Sequence, residues 1–274
     1  MPGQFKRIFD GQSLVGWHAV PRRLAPIKPG GPQWDVTPER LAAIMAHTGR
    51  WTVEEGAICG RQEPAGSGLG AYLLSDEVYG DYELVFEAKP DWPADTGVVL
   101  RATDIGSQGF QVLMDHRKSG NIGGYYGNGI GGFHAINFAL DVARDAAGQP
   151  TGLQLEDPAT TIEPLTPLKR SLLSYAASGE DFLKTWHWGD WNEFRISIEG
   201  EVPVLSTTIN GVKIAELDAS TLPADLFDRQ GVAALLGRRG RIALEVHDND
   251  PIVGGDRWGY DAASRWRNLQ IREF

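Results

Sequence analysis

The sequence predicts an all-β protein, an antiparallel β-sandwich, on three observations. Apolar residues recur with period two over several runs, Asn210-Gly211 sits between two such runs, and the chain holds 34 glycines. Period two is the signature of strands that bury one face. Asn-Gly supplies the φ > 0 that a type I′ hairpin needs at both central positions. Glycine in this number suits many tight turns between strands.

In chain order, Thr37-Pro38-Glu39-Arg40-Leu41 is the clearest helix start, a Thr cap with Pro at the first helical position, opening a short amphipathic run to His47. Tyr82, Leu84, Phe86 and Ala88 then point inward, with Glu83, Val85 and Glu87 outward. Thr96 to Arg101 follows, and after it Phe110, Val112 and Met114 inward against Gln111, Leu113 and Asp115 outward. These three segments read as a meander. The stretch 139–190, rich in Pro, Ala, Asp and Thr, has little strand character and carries a second short helix candidate from Thr166-Pro167 through Tyr175. A stretch this long between strands is a lid or an insertion. Phe194, Ile196 and Ile198 resume the alternation, Leu205 to Ile209 and Val212 to Leu217 flank Asn210-Gly211, and Ile242, Leu244 and Val246 precede a last strand near Trp266 to Arg272. With no internal repeat and no second core in view, the expectation is one domain over 1–274 with insertions at about 21–50 and 139–190.

Composition removes several function classes. Hydrophobic residues at 42% and charged residues at 23% describe a folded, non-fibrous chain with material for a core. A formal net charge of -10 disfavours nucleic acid, whose affinity draws on Lys and Arg neutralising phosphates. Cys59 is the lone cysteine, which leaves no intramolecular disulfide and no CxxC metal site; its run, Ala57-Ile58-Cys59, marks a small buried hydrophobe. No apolar run approaches ~18 residues, so no membrane span is expected, and Met1 to Phe9 has no signal-peptide character. A cytoplasmic location is expected for the chain as written, and a periplasmic or secreted one if a leader has been trimmed from it. P-loop and dinucleotide fingerprints are absent. Nine tryptophans suit sugar stacking as well as a β core.

Phe9-Asp10-Gly11-Gln12-Ser13-Leu14 followed by Gly16-Trp17 resembles the opening FDGxSLxGW of the 3-keto-disaccharide hydrolase domain, a resemblance that implies a jelly-roll sandwich of the concanavalin A-like lectin/glucanase type. Trp51 to Ile58 resembles its WxVEDGxI, Thr96 to Arg101 its NSGIxxR, and Gly109 to Asp115 its GYQVDID. Tyr125-Tyr126-Gly127, Trp191-Asn192, Ile209 to Val212, Ile242 to His247 and Arg267 to Glu273 continue the series in order, nearly end to end. Leu113 departs from it, standing where a polar residue is common, and 21–50 and 139–190 are longer than in a minimal member. The resemblance implies a hydrolase or lyase acting on glycosides already oxidised at C3. It implies a carbohydrate substrate and, since oxidation needs another enzyme, a partner sugar 3-dehydrogenase.

In a 3-keto sugar the ketone acidifies the C2 proton, so a base removes it and the C1 substituent leaves by β-elimination. The chemistry asks for a base, a cation or donor for the enolate oxygen, and an acid for the departing oxygen. Asp115 shares a strand face with Gln111 and is the first candidate for base or metal ligand; it equally fits a strand-end Asp starting the turn into His116 to Gly120. Arg101 suits an enolate clamp if its strand pairs with that of Asp115, or else a salt bridge to Asp115 or Glu87. Gln111 suits a hydroxyl anchor or a plain outward polar residue. His247 shares a face with Glu245 and opens the cluster His247-Asp248-Asn249-Asp250, a candidate for proton transfer, for sugar hydroxyls through Asp248, or a solvated turn. Tyr126, His134, Trp186 and Trp188 complete the candidate substrate contacts, each also explicable as packing. No metal is specified; a divalent cation near Asp115, His116, His134 or His247 stays open. Two other readings compete: a non-catalytic sugar-binding module using the same residues without a base, and a conventional glucanase using Glu83 and Glu87 on one strand face.

Overall fold

The computed structural model describes residues 3–249 and 257–274; Asp250, the end of the acidic cluster, lies outside them. The described strands are β1 (Lys6–Arg7), β2 (Trp17–Pro21), β3 (Arg50–Glu54), β4 (Ala57–Arg61), β5 (Ala71–Ser75), β6 (Tyr82–Pro90), β7 (Thr96–Ala102), β8 (Gly109–Met114), β9 (Ile122–Asn128), β10 (His134–Ala135), β11 (Leu140–Arg144), β12 (Pro150–Leu155), β13 (Tyr175–Ala176), β14 (Asn192–Glu199), β15 (Val204–Ile209), β16 (Val212–Asp218), β17 (Arg241–Val246) and β18 (Ser264–Glu273). One sheet runs β13-β16-β15-β14-β6-β18-β4-β3 with β1 also on β18, and the other runs β10-β9-β8-β7-β17-β5-β2. Their pairings are antiparallel, for example β6 with β14 and β7 with β8. The chain is thus the antiparallel β-sandwich its alternation predicts.

The inward residues meet across the gap between the sheets. Leu84, Phe86, Phe194, Ile196 and Trp266 from one sheet join Val98, Leu100, Phe110, Val112 and Leu244 from the other in one buried cluster. Phe86 and Phe194, opposite each other in register, stack with centroids 5.2 Å apart. Each such side chain removed from water contributes about 1.5–3 kcal/mol. Cys59 is buried and free.

Two expectations need correction. β7 and β8 pair as a hairpin, but β6 lies in the opposite sheet between β14 and β18, so the three segments are not a meander. Residues 91–95 cross from sheet to sheet, and the apolar faces of β6 and of β7–β8 face each other through the core. Period two records which face a strand buries, not which sheet it joins. The stretch 139–190 also contains structure: β11 and β12 form a hairpin with Leu140 opposite Leu155, and a helix spans Gly179–Thr185 under the cap of Ser178. Leu140 and Val142 alone of β11 reach the core, too short an alternation to stand out among Asp and Ala. The Thr37-capped helix forms over Pro38–Met45, while the Thr166-capped one stops at Ser171, short of Tyr175. A further helix, Arg229–Leu236, starts under the cap of Asp228, whose side chain accepts from Gly231 N at 3.1 Å.

The Asn210-Gly211 turn closes β15 on β16 with φ of 47° and 81°. A Cβ added at Gly211 would meet nothing within 4 Å, so Gly211→Ala isolates the backbone cost of the left-handed region. It should lower the unfolding free energy by about 1–2 kcal/mol in a urea titration.

The outer face of the second sheet is polar where its strands lie side by side. Tyr72 of β5, Gln111 and Leu113 of β8, Tyr126 and Asn128 of β9, and Glu245 of β17 point away from the core. Gly97 of β7 lies between β8 and β17, and a Cβ there would fall 2.6 Å from the Gln111 amide nitrogen. Its bareness lets Gln111 reach across β7 to Glu245.

Candidate functional site

A cavity of about 370 Å³ opens on that outer face, roofed by the segment after β2 (Arg22, Ala25, Ile27, Trp34) and flanked by Glu163, Asp248 and Arg257. Segments read as insertions therefore frame it. Glu245, fully buried, anchors the floor. It accepts from Arg22 Nε at 2.8 Å, from the Tyr72 hydroxyl at 3.0 Å and from the Gln111 amide. Asn128 in turn donates to the Tyr72 oxygen at 3.1 Å. Burial pushes the Tyr72 phenol well up, so it stays a neutral donor.

Arg22 ties this floor to the β17 terminus. Its Nη1 donates to Asp248 Oδ1 at 2.6 Å and its Nη2 to His247 Nε2 at 2.9 Å. The His247 Nδ1 proton points at Asp248, 2.7 Å from the carbonyl oxygen and 2.9 Å from Oδ1. Arg22 can only donate, so Nε2 is the edge of the His247 ring that accepts from it and Nδ1 the edge turned to Asp248. Burial alone would raise the Asp248 carboxyl, but the charge of Arg22 and the hydrogen bond from His247 hold it well below the ordinary range.

Asp115 ends β8. Its backbone N–H donates to Asn121 O at 3.0 Å and its Oδ1 accepts from Arg117 N at 3.1 Å, so it does start the turn to Gly120. Its other oxygen lies 3.1 Å from Arg117 Nε and faces the cavity. Asp95, just before β7, accepts from Arg257 Nη1 at 2.6 Å and lies 3.7 Å from His247 Nε2 and 3.8 Å from Arg117 Nε. Burial works against ionisation in both carboxyls. At Asp95 the positive charge of Arg257, Arg117 and Arg22 wins and keeps the group ionised. At Asp115 burial and the Asp95 charge together outweigh Arg117 and Arg257, and the carboxyl is pushed up to about 7. Arg117 also donates to Glu163 at 2.9 Å and stays cationic.

Gln111, Asp115, Tyr126, His134, His247 and Asp248 are thus gathered around one cavity. Tyr126 and His134 sit opposite each other in register with rings 4.7 Å apart, and burial draws His134 down to about 4, leaving it neutral. Arg101 is not among them. Register places Leu100 opposite Phe110 and Thr96 opposite Met114, so Arg101 and Asp115 lie at opposite ends of the β7–β8 hairpin. Arg101 adopts φ of 50°, is 1% exposed, and donates to Asp81 Oδ1 at 2.7 Å and Gly200 O at 2.6 Å. It is a clamp between the sheets rather than an enolate stabiliser. Arg101→Met should cost about 1–3 kcal/mol in chemical denaturation by stranding those acceptors, with kcat/KM on any substrate unchanged.

Trp186, Trp188 and His116 line a different cavity. Glu83 and Glu87 also stand apart, paired with Arg195 and Arg272 and with Arg267 respectively, which leaves no ready carboxylate pair there for glucanase chemistry. Among the described residues no group of three or more His, Cys, Asp or Glu is placed to hold a metal ion. Asp115 and His116 face different cavities, and arginines stand where a cation would neutralise Asp95, Asp115 and Asp248.

Arg22, Tyr72, Asp95, Arg117, Glu163 and Arg257 escaped the sequence reading. Arg117, two residues beyond Asp115, was within its reach; Arg22 and Glu163 sit in segments without alternation and carried no signal.

Residues 4–272 match the family model of the 3-keto-alpha-glucoside-1,2-lyase-like domain. No curated protein matches the chain significantly. Among solved structures, it is similar to a putative glycosyl hydrolase from Parabacteroides distasonis at 12% identity and a TM-score of 0.49, covering 99% of this chain and 94% of that one. It is similar also to β-agarase B from Zobellia galactanivorans at 14% identity and a TM-score of 0.46, covering 99% and 93%. A carbohydrate-binding module from Bacillus subtilis matches at 10% identity and a TM-score of 0.43, covering 82% and 92%. No helix among the described residues is long and apolar enough to cross a membrane.

Proposed function

Because the chain belongs to the family of the 3-keto-alpha-glucoside-1,2-lyase-like domain, we propose that it is a carbohydrate-active lyase that takes a 3-keto-glycoside, with Asp115 as the base at C2. One observation carries this reading. Two buried aspartates share a cavity, and their surroundings push them apart, Asp95 held ionised and Asp115 poised at about 7. Carboxyls separated in this way mark acid/base assignments, because one stays a fixed charge while the other exchanges a proton near neutral pH.

The Asp115 carboxylate removes the C2 proton, and the C2–H electron pair moves into a C2=C3 enolate. Arg117 and Arg257, both on the Asp95–Asp115 wall, supply positive charge for the enolate oxygen, the part expected of Arg101. C3=O then re-forms, the electron pair becomes C1=C2, and the C1–O bond breaks with the aglycone oxygen leaving and taking up a proton. Water adding across C1=C2 completes net hydrolysis. His247 acts as a positioning residue, since Arg22 already occupies its acceptor nitrogen. Gln111, its amide committed to Glu245, holds the floor and presents its remaining edge. The substrate has to come from an enzyme that oxidises glycosides at C3, a sugar 3-dehydrogenase.

Incubation with 3-keto-disaccharides and their unoxidised parents, followed by mass spectrometry in H₂O and D₂O, tests the proposal. Cleavage of the oxidised sugars alone, with deuterium entering at C2, is expected. Binding without product would make the chain a sugar-binding module, and cleavage of the parent sugars would make it a conventional glycosidase.

A further inference from the structure

A second cavity, of about 500 Å³, lies where β6 ends and β14 and β18 begin, and the lyase reading makes no use of it. Trp92, Trp186, Trp188 and Trp191, four of the nine tryptophans, line it together with His116 and Lys89. The wall between the two cavities is formed by residues 91–95 and 115–116. Asp95 and Asp115 face the first cavity; Asp91, Trp92 and His116 face the second.

We infer that this trough is a separate binding site for a neutral, unoxidised saccharide. The inference goes beyond the lyase assignment and does not depend on it. The rings are held in place from behind or beside. Trp186 packs against Phe182 and Phe194 at 5.9 and 6.3 Å, Trp191 lies 4.0 Å from the Arg267 guanidinium, and Trp188 leans over His116 at 5.7 Å. Fixed indoles lose little freedom when a flat apolar face settles on them, and the C–H face of a pyranose is such a surface.

Charge in the trough is balanced internally. Arg265 donates to Asp91 at 2.6 Å, Arg267 grips Glu87 with two bonds of 2.9 Å, and Glu54 accepts from Arg61 at 2.7 Å. Lys89 sits over the Trp191 ring, 5.2 Å from its centroid, and Glu55 and Asp190 share the lining with it, so no positive field is left over for a uronate or phosphate. Burial keeps His116 neutral, drawn down to about 4. The indole N–H groups of Trp92 and Trp186 are buried without an acceptor among the described residues. Donors in that condition are costly, and both residues line the trough, where a hydroxyl-bearing ligand brings acceptors. Aromatic faces, balanced charges and donors lacking acceptors together describe a site for a neutral polyol ring.

Calorimetric titration with maltotriose, cellotriose, laminaritriose and, as the charged comparison, trigalacturonate tests the site on the wild type and on Asp115→Asn, Trp188→Ala and Lys89→Ala/Asp190→Ala. At least one neutral trisaccharide should bind wild type and Asp115→Asn equally. Trp188→Ala should weaken that binding about tenfold, the scale on which truncating an aromatic anchor acts. Should Trp188→Ala fail to fold by circular dichroism, the surface pair Lys89→Ala/Asp190→Ala provides the same reading through weakened binding. The inference falls if no neutral trisaccharide binds, if binding is untouched by the folded trough variants, if it is lost in Asp115→Asn, or if trigalacturonate binds tighter than every neutral sugar. A failed lyase assay leaves each of these outcomes unaffected.

Discussion

Asp115→Asn should lower kcat on a 3-keto-glucoside by about 10²–10⁴-fold, the contribution of a positioned general base, with little change in KM. In the wild type, kcat/KM should rise with pH through about 7, because the carboxylate must be free of its proton to take one from C2. The same group makes a prediction about stability of opposite sign. Its pKa in the folded protein lies above the ordinary 3.8, so protonation favours the fold. That contribution is complete below 3.8 and is lost as pH rises from there through about 7. The asparagine variant carries no charge to bury and leaves Arg117 beside Asp95 and Glu163. It should therefore melt higher than the wild type at pH 8, with the gap narrowing toward pH 4. A variant both more stable and less active is what a functional buried carboxyl produces, and a structural ion pair produces the reverse. Near-normal turnover in Asp115→Asn would remove the residue from the mechanism.

How much of this was legible depends on what each feature asks of the chain. Strand faces need only period two, so Gln111, Leu113 and Asp115 were correctly placed on one outward face, and Asn210-Gly211 fixed its own hairpin through φ alone. Partners across the sheet are another matter. Arg101 breaks the alternation, its φ of 50° turning it to Asp81 and Gly200 beside the ends of β6 and β14, and antiparallel pairing puts it at the far end of the hairpin from Asp115. Strand ends run in opposite directions, and that fact alone, applied to residues 96–101 and 110–115, separates the two. Trp186 and Trp188 were grouped with the Asp115 site because aromatics suit sugars, but stacking preference carries no address, and residues 91–95 stand between. Arg22 was invisible because its partners, Glu245, His247 and Asp248, are more than 220 positions away in the chain. A segment outside the regular strands has no periodicity to announce a contact of that kind.

Arg22→Met should be the most destabilising single change among the residues around the cavity. Glu245 is completely buried in the outer face of the sheet, and Arg22 is its one cationic partner among the described ion pairs. Methionine keeps much of the aliphatic stem but withdraws the guanidinium, stranding one buried carboxylate and releasing Asp248 and His247 at the same time. Removing one member of a buried pair typically costs about 3–5 kcal/mol, because the remaining charge has lost its solvent and its partner together. Urea titration should show that loss as a lower midpoint with an unchanged slope. The double variant Arg22→Met/Glu245→Gln distinguishes charge from packing. The glutamine still accepts from Tyr72 and no longer demands a cation, so the pair should recover part of the loss and give a favourable coupling energy in the double-mutant cycle. Additive losses would mean that Arg22 supports the cavity through its bonds to Asp248 and His247 rather than through its pairing with Glu245.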